Sequence, residues 1–163
     1  MPTIVAILSA TLCFLSTTAV FAGDNPLLGT WKLKSYLREV TATGERYNER
    51  GEHPNGFLSY GADGRMYAII TWDNRANPLD VVPTNDERIR LYGTMLSYAG
   101  TYTMDGEKVI HHVDISWNQI WTGTDQVRFY KLDGNTLTIT SAPNRNPVDG
   151  RPGRSILVFE KIP

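Results

Sequence analysis

The chain has 163 residues, with 16 Lys and Arg against 17 Asp and Glu and a net charge of −1. Balanced, scattered charge of this kind argues against a nucleic-acid or anionic-membrane partner. The single cysteine, Cys13, lies in the N-terminal apolar run, so a chain without that run has no disulfide, thiol nucleophile or cysteine metal site.

Residues 1–22 are apolar from Ile4 to Phe21, broken only by small and hydroxyl side chains, and end at Ala22 before the turn residues Gly23-Asp24-Asn25-Pro26. This pattern predicts a secretory signal peptide over 1–22 and a mature domain over 23–163, secreted or periplasmic. The n-region has no Lys or Arg, and an uncleaved membrane anchor is the alternative, although the run is short for a span. After cleavage no membrane association is expected. About 140 residues remain, a size suited to one domain with one core.

From Gly29 onward, short runs rich in Val, Ile, Thr, Tyr, Phe and Trp alternate with Gly and Asp turns, which predicts an antiparallel all-β domain. Eight strands are expected, at 30–39, 56–61, 65–72, 98–104, 108–117, 125–132, 136–141 and 154–162. Between the third and fourth, Thr84 and Glu87 have the spacing of a capping box, and Ile89, Tyr92 and Leu96 recur at helical spacing. A helix over 85–97 follows, either plugging one end of the fold or forming a lid over a cavity.

Three Asp-Gly pairs, at 63–64, 105–106 and 133–134, separate consecutive strands. Tight hairpins need positive φ, which Gly and Asp tolerate, so strands adjacent in sequence are expected to pair. A meander of eight such strands favours closure, because closure removes exposed sheet edges. The expected fold is an eight-stranded antiparallel up-and-down barrel with one helix between strands three and four.

Leu28-Gly29-Thr30-Trp31-Lys32-Leu33 opens the first strand with Gly-x-Trp. With it stand, in order, Gly56-Phe57-Leu58-Ser59-Tyr60, Asp63-Gly64-Arg65-Met66, Tyr98-Ala99-Gly100-Thr101-Tyr102, Val109-Ile110-His111-His112-Val113 and Gly123-Thr124-Asp125-Gln126-Val127-Arg128. This ordered set resembles a bacterial and fungal family of lipocalin-like proteins with a calycin-type barrel, over roughly residues 27 to 162. The resemblance implies a small barrel that either holds an apolar ligand or acts on one as an isomerase or cyclase. It also implies a basic residue, Arg154 or Lys161, stacked on Trp31.

Strand alternation assigns the inner face. Trp31, Leu33, Ser35 and Leu37 are expected inward on the first strand, then Leu58 and Tyr60, then Met66, Ala68, Ile70 and Trp72. Tyr98, Tyr102 and Met104 follow, and later Leu137 and Ile139. In Val109 to Trp117 the residues Val109, His111, Val113, Ile115 and Trp117 form the more apolar phase. His111 is therefore expected inside, and His112 outside in a polar strip with Asp114. The following strand is ambiguous by alternation, and Arg128 is placed inward because the resemblance includes Gln126-x-Arg128.

These assignments predict a ligand site of Arg128, His111, Tyr60, Tyr102, Trp72 and Trp117. An aromatic cup with a few converging polar groups suits a small, mostly apolar molecule bearing an anionic or carbonyl oxygen. If the protein is an enzyme, His111 is the candidate acid or base, with Arg128 stabilising an enolate-like oxygen. A barrel filled by its own side chains, acting only through its surface, is the third reading. Neither a cofactor nor a metal is expected, since no phosphate loop, dinucleotide fingerprint, hydrolase elbow or zinc spacing is present.

Overall fold

A computed structural model describes residues 25–145 and 150–163; the expected signal peptide lies outside them. Ten strands form one antiparallel sheet: β1 (Gly29–Val40), β2 (Arg46–Asn48), β3 (Asn55–Tyr60), β4 (Arg65–Thr71), β5 (Met95–Asp105), β6 (Lys108–Ser116), β7 (Asp125–Asp133), β8 (Thr136–Ser141), β9 (Asn144–Arg145) and β10 (Pro152–Lys161). The order is β2-β1-β3-β4-β5-β6-β7-β8-β10-β9, and the pairing of β1 with β10 closes it. Eight long strands therefore make a closed barrel, as expected. The unexpected β2 and β9 are short ribbons that extend it beside β1 and β10.

The three Asp-Gly turns join β3 to β4, β5 to β6 and β7 to β8, with Gly64, Gly106 and Gly134 at positive φ. All three lie at one end of the barrel. There Trp31 is fully buried, its indole N–H donates to the Leu27 carbonyl at 2.8 Å, and Lys161 lies over the ring at 5.3 Å. Lys161 is thus the stacked cation, while Arg154 pairs with Glu39 on the outer surface. Leu27, Leu58, Tyr60, Val109, Leu137 and Phe159 complete this densely buried end.

The long connections, including α1 (Asn85–Gly93) and a 3-10 turn at Gln119–Trp121, gather at the opposite end. The expected capping box is present: Thr84 and Glu87 satisfy each other's backbone N–H groups. The helix stops at Gly93 rather than 97, because Leu96 belongs to the period-two series Leu96, Tyr98, Gly100 and Tyr102 of β5. None of its residues is buried, and Ile89 is exposed, so it does not plug the barrel.

Two β-bulges correct the expected faces. Lys34 is an extra residue between the pairs Leu33–Phe159 and Ser35–Val158. A single inserted residue reverses the alternation beyond it, so Tyr36, Arg38 and Val40 turn inward in place of Ser35 and Leu37. On β6, Asp114 is extra between the pairs Gly100–Val113 and Ala99–Ile115. Ile115 therefore points out, with 66% of its surface exposed. Gly100 is required there, since a Cβ would overlap the His112 carbonyl oxygen. Met104, expected inside, is exposed near the end of β5.

Candidate functional site

A cavity of about 580 Å3 opens from the loop end of the barrel. This lies within the range of small-molecule sites. One wall is aromatic and runs from the interior to the mouth. Tyr98 packs edge-on to Trp121 with ring centres 5.5 Å apart, Trp121 meets Trp117 at 5.1 Å, and Trp117 meets Tyr92 of α1 at 6.5 Å. Trp72 stands at the end of β4 and carries the Arg50 guanidinium over its ring at 4.4 Å, and Arg50 also faces the Tyr36 ring at 5.0 Å.

Cationic side chains share the lining. Arg38 is 2% exposed and donates to Asn144 Oδ1 at 2.7 Å and to the Asn144 carbonyl at 2.8 Å. Arg128 on β7 donates to the Val127 carbonyl and to Gln126 Oε1. Among the described residues neither guanidinium has a carboxylate partner, whereas Arg50 lies 3.8 Å from Glu49. Buried or half-buried cations without counter-charge make the cavity favourable to an anion. Glu49 Oε2, Arg50 Nε and Trp72 Nε1, all buried on this lining, have no hydrogen-bond partner.

His111 faces inward on β6 and is 1% exposed. Its Nε2 lies 2.8 Å from the Tyr60 hydroxyl and its Nδ1 2.8 Å from the Tyr98 hydroxyl. Burial, then the nearby Arg128 charge, hold its pKa well below the ordinary histidine value, so the ring is neutral. Burial raises both tyrosine pKa values, partly countered by the nearby Arg128 charge.

Of the six residues expected at the site, Arg128, His111, Trp72 and Trp117 line the cavity. Tyr60 and Tyr102 do not: Tyr60 sits beneath His111, and Tyr102 donates to the Gly61 carbonyl while accepting from Asn25 at the closed end. Trp117 reaches the cavity from just beyond β6 rather than along the face of His111, since Asp114 has already reversed the phase. Outside, His112 bonds Asp125 at 2.7 Å and Thr103 at 2.9 Å; Asp114 pairs with Arg65 instead. No group of three His, Cys, Asp or Glu able to hold a metal occurs among the described residues.

Tyr36, Arg38, Tyr98 and Trp121 are lining residues that the sequence did not single out as a site. Tyr98 was legible on the inner face. The bulge that turns Arg38 inward leaves a faint trace, because beyond Lys34 the apolar Tyr36 and Val40 share the opposite phase from Trp31 and Leu33.

A closed up-and-down barrel with a cavity entered from one end defines a small-molecule-binding barrel. A family model described as a lipocalin-like domain matches residues 28–162, and the chain belongs to that family. No curated protein matches it. Among the described residues no helix is long and apolar enough to cross a membrane.

Proposed function

We propose that the protein binds a small, mostly aromatic or otherwise apolar molecule carrying an anionic or carbonyl oxygen. The observation that carries this reading is the pair of guanidinia, Arg38 and Arg128, without carboxylate partners among the described residues, that share the cavity lining with Tyr36, Trp72, Tyr98, Trp117 and Trp121. Apolar burial supplies most of the affinity and the cations fix orientation. Residues 1–22 support export, with 23–163 as the mature domain acting outside the cytoplasm.

An isomerase or cyclase reading needs a base with a free lone pair at the cavity. Both His111 ring nitrogens are engaged by tyrosines, which favours binding over His111-based proton transfer. The test is titration with 2-naphthoate, read by quenching of the cavity tryptophans, together with native mass spectrometry of the purified protein. Saturable binding that weakens in Arg128→Ala is expected. Ligand-free protein, and equal binding by wild type and Arg128→Ala, would overturn the proposal.

A further inference from the structure

We infer that Tyr98 is the ligand-contacting donor of the cavity, presented beside Arg128 by a His111 ring that Tyr60 fixes in its Nδ1–H form. The inference rests on the anion-binding reading and assigns its contact groups.

The argument is a count of protons. A neutral imidazole has one N–H and one acceptor nitrogen, so between Tyr60 and Tyr98 it accepts from one hydroxyl and donates to the other. Tyr60 is 1% exposed, and His111 Nε2 is its hydroxyl's hydrogen-bond partner. If Nε2 carried the proton, the Tyr60 O–H would be buried with nothing to accept it. The reverse arrangement leaves over the hydroxyl proton of Tyr98, a cavity-lining residue, in place of that of Tyr60 in the closed core. Tyr60 donates to Nε2, the Nδ1–H donates to the Tyr98 oxygen, and the Tyr98 O–H remains free. Avoiding one buried orphan favours this tautomer by roughly ten- to a hundredfold.

Tyr98, unlike Tyr60, lines the cavity. Its oxygen already accepts from Nδ1–H, which polarises the O–H and strengthens it as a donor. Arg128, lining the same cavity on the strand next to that of His111, adds a fixed positive charge. A hydroxyl donor and a guanidinium side by side match a carboxylate, phenolate or enolate oxygen. They discriminate against esters and hydrocarbons of the same shape, which present less charge. His111 and Tyr60 are positioning residues, and Tyr98 makes the contact.

Two measurements test this on the mature protein. First, long-range nitrogen–proton NMR of the free protein labelled at histidine reads the His111 tautomer without any ligand. The Nδ1–H form is expected, and the Nε2–H form, the more common one in water, would overturn the inference. Second, affinities for 2-naphthoate and its methyl ester are compared in wild type, Tyr98→Phe and Tyr60→Phe.

Tyr98→Phe is expected to weaken the carboxylate by on the order of tenfold to a hundredfold while changing the ester little. In Tyr60→Phe the Nε2–H population should rise and carboxylate affinity should fall, although residue 60 is outside the cavity. A merely structural Tyr60 would lower stability and leave the tautomer and the carboxylate-to-ester ratio unchanged; that result counts against the relay. Wild-type carboxylate affinity in a folded Tyr98→Phe, with loss in Arg128→Ala, would overturn the Tyr98 contact and leave the anion-binding reading standing. Failure of wild type to bind 2-naphthoate would overturn that reading and the contact together, whatever the tautomer.

Discussion

Acidification should destabilise this barrel through His111 in a way that one substitution removes. The side chain is 1% exposed, and burial, followed by Arg128, holds its folded pKa well below 6.5. In the unfolded chain the ring protonates near its ordinary value, so below about pH 6.5 the unfolded state binds one more proton than the folded state. Stability is fully present above that pH and falls as pH drops, until the folded pKa is reached. The limiting slope for one proton is about 1.4 kcal/mol per pH unit, and it applies from about pH 6.5 down to the folded pKa.

Urea unfolding of wild type and His111→Gln across this range provides the assay. Glutamine retains one donor and one acceptor for the two tyrosines but does not titrate. It should be less stable at neutral pH, and its disadvantage should shrink on acidification with a slope approaching about 1.4 kcal/mol per pH unit, with carboxylate contributions cancelling in the difference. Parallel curves for the two proteins would refute the claim that a buried neutral imidazole sits between Tyr60 and Tyr98.

Three further outcomes are expected. Leu137→Ala, at a fully buried position beside Phe159, should cost about 2 to 5 kcal/mol in urea unfolding, the range for a cavity in a well-packed core. Gly100→Ala should cost at least about 2 kcal/mol, because its Cβ meets the His112 backbone at the β6 bulge, and amide exchange should quicken on both strands. Thr84→Ala removes the capping box of a helix that buries nothing. Exchange in α1 should rise by about fivefold, from about 1 kcal/mol of lost capping, while the global unfolding midpoint barely moves.

Much of the barrel was legible because hairpin chemistry and period-two alternation are local. Asp-Gly pairs mark the closed end, and alternation placed Trp31, Tyr60, Ala68, Tyr98, His111 and Leu137 on the inner face. Alternation fails where one residue is inserted. Lys34 and Asp114 each reverse the phase, so Ser35, Leu37 and Ile115 leave the interior and Tyr36 and Arg38 enter it. The end of α1 was misread for a related reason: Leu96 satisfies both helical and strand spacing, and only pairing with β4 settles which applies.

The sequence by itself determined the strand set, the turns and the inward phase of His111, because each follows from steric preferences over a few residues. It could not determine what surrounds that histidine. Tyr60 and Tyr98 are 51 and 13 residues away; the β5–β6 hairpin brings one hydroxyl to its ring, and the curvature of the sheet from β3 to β6 brings the other. The same fold brings Arg38 and Arg128, without carboxylate partners among the described residues, into one cavity with aromatic side chains. Tertiary structure thus turned an inward imidazole into a buried support and moved the chemistry that faces the cavity to its neighbours.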